Sequence, residues 1–381
     1  MKLVLSVDAL TPQLTGIGRY TWELASRLPA RVDAIRYLRN GQWVPDPAAL
    51  VHPPQPTVRK PWSRRLWRSP RWLREANLRR VCNDALFHGP NYFLPPYAGT
   101  GVITVHDLSV FKYPETHPPE RIHQFEREFK RSVAQAAHII TDSRATMQEV
   151  ISFLGWPAER ISTVPLGVSP AYAPQEPAIL HPCLQRHGLA DRGYTLCVST
   201  LEPRKKIAEL LWAYRALPAN LRTRYPLILV GSDGWLNAGL HEAIAEATRE
   251  GWLRYLGYVA EADLPLLYAA ARLFVYPSIY EGFGLPVLEA MAAGTPVIAA
   301  DRTSLPEVTQ GAARLLDPDD QVALTQALEA GLTDATWQAQ ARAAGLAVAA
   351  TYSWEHCADA TLAVYRQVAG ITRSSTHQTA N

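Results

Sequence analysis

Short apolar runs alternate along the chain with longer stretches in which apolar residues recur at helical spacing. In the first half the runs are "LVLSV" (3–7), "ALFHG" (85–89), "GVITV" (101–105) and "HIITDS" (138–143). In the second they are "YTLCVST" (194–200), "PLILVG" (226–231), "LFVYPS" (273–278) and "PVIAA" (296–300). Such runs, separated by helical patterns, predict parallel sheets covered by helices on both faces. Between the halves "VPLGVSPAYAPQEP" (164–177) loses periodicity and gathers proline, which marks a linker and puts a boundary near Ala173. The reading is an α/β protein of two doubly wound, Rossmann-like units, 1–172 and 173–352, facing across a cleft. A helix over 353–370 is expected to pack back on the first unit, followed by a polar, frayed tail over 371–381.

Composition agrees with this division. A chain of 381 residues is too long for one ordinary core, and 48% hydrophobic with 19% charged residues is that of a folded soluble protein. A net charge of +3 says little about partners. The cysteines, Cys82, Cys183, Cys197 and Cys357, form no CxxC pair, so neither a disulfide framework nor a zinc site is expected and a reducing compartment fits. The opening "MKLVLSVDAL" has an apolar run too short, and too soon cut by Asp8, for a signal peptide or a membrane span.

Ligands of open parallel sheets sit beyond the carboxyl ends of strands. There the most telling stretch is "YEGFGLPVLEAMAAGTPVIAA" (280–300), with Glu281 and Glu289 flanking a glycine turn. Pro286 suits the first helical position and Gly294 the position after the helix, predicting a helix from about Pro286 to Ala293. Gly282 and Gly284 let backbone N–H groups approach a ligand, and the helix N-terminus adds partial positive charge, a cradle for phosphate or for an oxygen-rich sugar. Carboxylates accept hydrogen bonds from vicinal hydroxyls, so the two glutamates could hold ribose and sugar; alone, they would read as a cap and a solvated helix residue.

"YPSIYEGFGLPVLEAMAAGTPVIA", together with "TGIGRYTWEL", "FHGPNYFLPP", "VHDLSVFKYPETH", "TDSRAT", "TLEPRKK", "VGSDGW" and "LGYVAEADLPLLYAAA", resembles the retaining glycosyltransferases of family 4 and the GT-B fold. Among these the wording is most like bacterial O-antigen and lipopolysaccharide mannosyl- and rhamnosyltransferases. The resemblance implies that Glu281 holds hydroxyls of the donor sugar and Glu289 the nucleotide ribose. Phe283, Gly284 and Leu285 would offer N–H groups to sugar and diphosphate, and Arg204 and Lys205 would neutralise the diphosphate. Where many relatives carry an earlier arginine, this chain has Ser199 and Thr200, with Lys206 as a possible substitute. Gly16 and Gly18 would lie under the diphosphate from the opposite domain, and His106 beside the donor sugar near its C6 edge. Gly231 and Trp235 would shape the nucleotide pocket, with Gly257, Tyr258 and Val259 touching the base. His88, Asn91 and Asp107 fall on the acceptor side.

The resemblance further implies a GDP-sugar donor, GDP-mannose or GDP-D-rhamnose, and a polyprenyl-diphosphate-linked glycan acceptor. No metal or other cofactor is expected: Asp317-x-Asp319 in "DPDD" has a metal-binding spacing but reads first as a turn and helix cap. Retention implies attack on the face the diphosphate leaves, a phosphate oxygen taking the proton; an inverting enzyme would need a base, with His106 or Asp107 first in line. A nucleotide-sugar epimerase, a UDP-sugar-dependent transferase and a silent scaffold are the alternatives.

Residues 59–80, "RKPWSRRLWRSPRWLREANLRR", carry nine basic residues against one glutamate, with Trp62, Trp67 and Trp72 interleaved. Basic residues and tryptophan favour an anionic membrane interface, so this segment is expected to dock the protein on the cytoplasmic face of the inner membrane. Nucleic acid is the competing partner, but no nucleic-acid-binding motif accompanies the patch. Pro61 and Pro70 interrupt any long amphipathic helix, and a solvated basic face is the alternative.

Overall fold

The computed structural model describes residues 1–53, 71–96, 98–235 and 238–378. The first sheet contains β1 (Lys2–Ser6), β2 (Ala34–Arg39), β3 (Gln42–Val44), β4 (Leu86–Gly89), β5 (Gly101–Val105), β6 (Ala136–Thr141) and β7 (Ile161–Thr163), in the spatial order β3-β2-β1-β4-β5-β6-β7. Its central strands are the apolar runs of the sequence, and Leu3, Val4, Leu5, Val102, Ile103 and Ile139 are buried. All neighbours are parallel except β2 and β3, an antiparallel pair turned by Asn40 and Gly41 at the sheet edge.

The second sheet contains β8 (Thr195–Val198), β9 (Leu227–Val230), β10 (Leu253–Tyr255), β11 (Leu273–Tyr276), β12 (Val297–Ala300) and β13 (Arg314–Leu316), ordered β10-β9-β8-β11-β12-β13. In each sheet the winding reverses once, at β1 and β4 in the first and at β8 and β11 in the second. The loops leaving β1, β8 and β11 therefore open at switch points, where such sheets hold ligands.

The chain passes between the units twice, and Val168 bridges Ser353 where the two crossings meet. The helix Trp354–Gln378 returns to the first unit. There Tyr365 is fully buried and its hydroxyl lies 2.6 Å from His88 Nδ1, while Arg27 Nε and Arg31 Nε donate to Glu355 and Asp359 at 2.8 and 2.9 Å. This helix continues through residues 371–378, where the sequence suggested a frayed tail; "ITRSSTHQ" is polar but holds no proline to stop it. Of the basic segment, 59–70 lies outside the described residues, and Arg71–Asn83 forms a helix. Among the described residues no helix is long and apolar enough to cross a membrane.

Candidate active site

The glycine turn after β11 sits between the two units. The helix Leu285–Ala292 begins one residue before the expected start, with Gly284 as its N-cap at φ +107°, a conformation that suits only glycine. No side chain caps it, so its first N–H groups remain available to a ligand. Opposite stands the helix Gly16–Arg27, capped at Thr15 through a bond from Gly18 N–H. A Cβ on Gly16 would lie 3.6 Å from Leu285 Cδ1, so the two helix N-termini meet across the cleft. Each brings partial positive charge to the same place.

Glu281 lies beside that junction. Lys205 Nζ donates to its Oε1 at 2.5 Å, Tyr276 Oη at 3.0 Å and Ser278 Oγ at 2.5 Å. Arg204 Nη1 stands 3.6 Å from the same oxygen. All of these contacts fall on Oε1, which leaves Oε2 for a substrate hydroxyl. Burial by itself would raise the Glu281 pKa, but Lys205 and Arg204 outweigh it and hold the carboxyl below its ordinary range. Arg204 also donates to the Tyr280 carbonyl and, at 2.6 Å, to Glu202 Oε1, while its Nε has no partner. Its charge is secured against burial by Glu281, Glu202 and Asp107.

Glu289, one turn into the helix, has a different environment. Its carboxyl is half-buried near the phenols of Tyr172 and Tyr268, and burial pushes its pKa up to about 7. Arg19 reaches toward it from the first unit and pairs with Glu261 of the second. On the neighbouring loop Gly231 N–H donates to the Gly257 carbonyl at 2.9 Å, Val259 is buried and the Tyr258 ring is 48% exposed.

The wall contributed by the first unit is closely hydrogen-bonded. His106 Nδ1 lies 2.6 Å from Asp142 Oδ2 and its Nε2 lies 2.8 Å from the Pro90 carbonyl. The Pro90 carbonyl can only accept, so Nε2 carries a proton, and at Nδ1 a second proton is held between the ring and the Asp142 carboxyl. Burial would lower its pKa, but Asp142 more than offsets this and raises it. With both nitrogens engaged, His106 is not free to serve as the base that an inverting reaction would need, nor to reach a sugar through its ring nitrogens. Asp107 Oδ1 accepts from Ser109 N–H at 2.9 Å and Ser109 Oγ at 2.7 Å. Burial opposes its ionisation, and Arg204 with the Ser109 bonds reverses this and lowers its pKa. Asn91 is half-buried in the loop after β4.

Several residues hold the two units together. Ser143 Oγ donates to the Gly282 carbonyl at 2.7 Å, Leu108 N–H to Tyr280 Oη at 3.0 Å, and the Glu307 carboxylate accepts from the Arg144 and Ala145 N–H groups at 3.0 and 3.3 Å. Trp235 Nε1 donates to the Thr116 carbonyl. The Trp235 ring thus packs against the first unit, 6.0 Å from the His117 ring.

Two expectations need correction, and one alternative reading falls away. His88 is no acceptor-side group: it is fully buried, Thr104 Oγ1 and Tyr365 Oη occupy its nitrogens, and burial and then His106 press its pKa down to about 3. Lys206 does not stand in for the missing arginine, because Glu209 and Asp319 each bind its Nζ at 2.9 Å. Glu281 caps no helix. The aspartates of "DPDD" are engaged locally: Asp317 with Arg302 at 2.7 Å, Asp319 with Lys206, and Asp320 as the cap of the helix Gln321–Thr333. Sequence reasoning missed Tyr276, Asp142, Arg19 and His117. Tyr276 was findable, since it ends the strand two residues before the conspicuous Ser278; the others meet their partners only through the fold.

Residues 14–172 match the family model described as Glycosyltransferase Family 4, and residues 185–346 match that of Glycosyl transferases group 1. Over 96% of its length the chain is 40% identical to O-antigen chain mannosyltransferase B of Escherichia coli, covering 100% of that protein. It is 33% identical to serotype-specific mannosyltransferase WbdA of Escherichia coli over 61% of this chain and 28% of that longer one. Among solved structures, WaaG, a glycosyltransferase involved in lipopolysaccharide biosynthesis, is similar with a TM-score of 0.70 and 17% identity, covering 94% of this chain and 98% of that one. Anabaena Alr3699/HepE in complex with UDP-glucose is similar with a TM-score of 0.69 and 20% identity, covering 98% and 100%. At these identities the structures speak to the fold, two facing α/β units of the GT-B type.

Proposed function

The chain belongs to the GT-B glycosyltransferases of O-antigen synthesis, and from that premise we propose that it transfers mannose from GDP-mannose to a lipid-linked glycan with retention at the anomeric carbon. The observation that carries this reading is the meeting of two helix N-termini, at Gly16 and at Leu285, beside Arg204, Lys205 and Glu281. That combination suits a sugar diphosphate: fixed N–H dipoles and two cations for the phosphates, one carboxylate for sugar hydroxyls. The full-length likeness to a mannosyltransferase favours mannose as the hexose. GDP-D-rhamnose, which lacks only the C6 hydroxyl, is the alternative donor.

In this reading the diphosphate lies between the two helix ends, and charge developing on it as the glycosidic bond breaks is met by dipoles already in place. Glu281 Oε2 accepts from donor hydroxyls, and Glu289 accepts from the ribose. His106, tied at both ring nitrogens, shapes the wall near the sugar and does not act as a base. The acceptor proton passes to a phosphate oxygen on the departing face, the route that same-face attack with retention implies. No metal is assigned to the reaction. The basic segment 59–80 would hold the enzyme on the cytoplasmic face of the inner membrane; vesicle flotation with Arg64, Arg65 and Arg68 changed to Glu should show reduced binding to anionic vesicles, and equal binding would sink that assignment.

The donor assignment is tested by incubating the purified chain with a mannose-terminated, lipid-linked acceptor and GDP-mannose, GDP-D-rhamnose, UDP-glucose or ADP-glucose, following nucleotide release and the anomeric configuration of the product. Release of GDP from GDP-mannose with an α-linked product is expected. Turnover of UDP-glucose alone would overturn it.

A further inference from the structure

Among the described residues, six buried side-chain nitrogen or oxygen atoms have no hydrogen-bond partner, and three of them belong to His117, Arg121 and Arg204. Buried polar groups are nearly always paired, so such a gathering marks a place where a ligand completes the bonding. Neither Asp107 nor Trp235 lies far away. The His117 ring stands 6.0 Å from the Trp235 ring, the Arg121 guanidinium lies 5.9 Å over the same indole, and Asp107 feels the charges of both Arg204 and Arg121.

The bonding pattern decides what kind of group is wanted. Ser109 has one hydroxyl proton, and it goes to the ionised Asp107 at 2.7 Å. His117 Nε2, 3.1 Å from Ser109 Oγ, must then be the donor to that oxygen, which places the ring proton on Nε2 and leaves a lone pair on Nδ1. Burial, with Arg121 and Arg204 nearby, lowers the His117 pKa to about 4, so the ring stays neutral at physiological pH. Nδ1 is thus an acceptor without a donor, and Arg121 Nε–H a donor without an acceptor. An anion would satisfy the arginine but not the imidazole lone pair. A hydroxyl satisfies both, since it donates one hydrogen bond while accepting another. An indole face beside it suits the C–H surface of a sugar. Trp235 comes from the second unit and His117 and Arg121 from the first, so the pair lies where the two units meet.

We propose that His117 Nδ1 and Arg121 Nε, beneath Trp235, bind a hydroxyl of the acceptor sugar, with the Asp107–Ser109–His117 chain fixing the lone pair that receives it. This rests on the glycosyltransferase reading above. It assigns the acceptor subsite to the segment just after β5, and it makes His117 a binding group that does not take the proton.

The test uses the full-length chain, saturating GDP-mannose and a mannose-terminated glycan on an undecyl diphosphate, together with its series of single deoxy analogues. His117→Gln keeps an amide where Nε2 donates to Ser109 but removes Nδ1. It should raise the acceptor KM about tenfold or more, leaving the donor KM and calorimetric GDP affinity unchanged. One deoxy acceptor should be penalised by the wild type and not further penalised by His117→Gln, while His117→Asn, which restores an acceptor near the Nδ1 position, should recover part of the loss. An unchanged acceptor KM in His117→Gln, or equal loss on every deoxy analogue, would overturn the proposal and leave the site to an ordered water. Failure of the wild type itself to extend the parent acceptor would instead overturn the functional reading beneath it.

Discussion

Gly282 and His106 meet backbone to backbone across the cleft: a Cβ on Gly282 would stand 1.7 Å from the His106 carbonyl oxygen and 3.2 Å from Asp107 Cβ. The turn that carries Glu281 is therefore seated directly on the end of β5, and the Gly282 carbonyl is held there by Ser143 Oγ. Gly282→Ala has no flexible side chain to push aside, so the units must separate. Turnover should fall about 100-fold or more, as displacements of about an ångström in a reacting site do. GDP affinity should fall much less than turnover, because Glu289, Arg204, Lys205 and the Gly257 loop stay together on one unit and only the Gly16 helix end is drawn away. Kinetics with calorimetry checks this; wild-type turnover in the variant would show that the seat is dispensable.

Glu281→Gln preserves shape but removes the charge that Lys205 and Arg204 surround. Arg204 would keep Glu202, but Lys205 would lose its carboxylate partner in a buried setting, and the group proposed to grip sugar hydroxyls would be a weaker acceptor. Turnover should drop by about two orders of magnitude, the scale of losing one oriented electrostatic group in an active site. The affinity for free GDP, which lacks the sugar, should stay near that of the wild type. Parallel loss of GDP binding would move Glu281 from the sugar to the nucleotide.

Glu289 makes a pH-dependent prediction. Its pKa of about 7 in the free protein means that it is largely protonated at pH 6 and largely ionised at pH 8. Ribose hydroxyls donate to a carboxylate, so nucleotide binding favours the ionised form and the affinity for GDP should strengthen with rising pH, by about tenfold at most between pH 6 and 8. Glu289→Gln should bind more weakly at pH 8 and show a flat profile. A wild-type profile that weakens with pH would reverse the assigned role.

The strands that could be read from the sequence are those buried on both faces, such as β5 and β11, because continuous apolar runs have no other ready explanation. β2, β3, β7, β10 and β13 escaped: β3, β7, β10 and β13 are three-residue strands, and "AIRYLR" in β2 carries two arginines beside the sheet edge. In the site, Glu281, Arg204 and Lys205 stand in compact motifs, so their chemistry is visible locally. Asp142 is 36 residues from His106, and Trp235 is more than 100 from Thr116; their meaning exists only once the sheets bring them together. His88 misled for the same reason, since only the returning helix with Tyr365 makes it a core residue.

The His106–Asp142 pair predicts how stability should vary with pH. The folded-state pKa of His106 lies above its ordinary value of 6.5 and burial also raises that of Asp142, so the ion pair's contribution is greatest between the two values and is lost as pH rises through the raised His106 value. Asp142→Asn leaves a buried imidazole with no counter-ion. Below pH 6.5 the unfolded chain would hold the His106 proton and the folded variant would have to release it or bury an unpaired charge. The loss should be about 3 kcal/mol at pH 6, the scale of removing one partner of a buried pair, and clearly smaller at pH 9, where a neutral ring costs little. Denaturant melts of both proteins at the two pH values decide it: a deficit that grows with pH would mean that His106 is neutral in the fold.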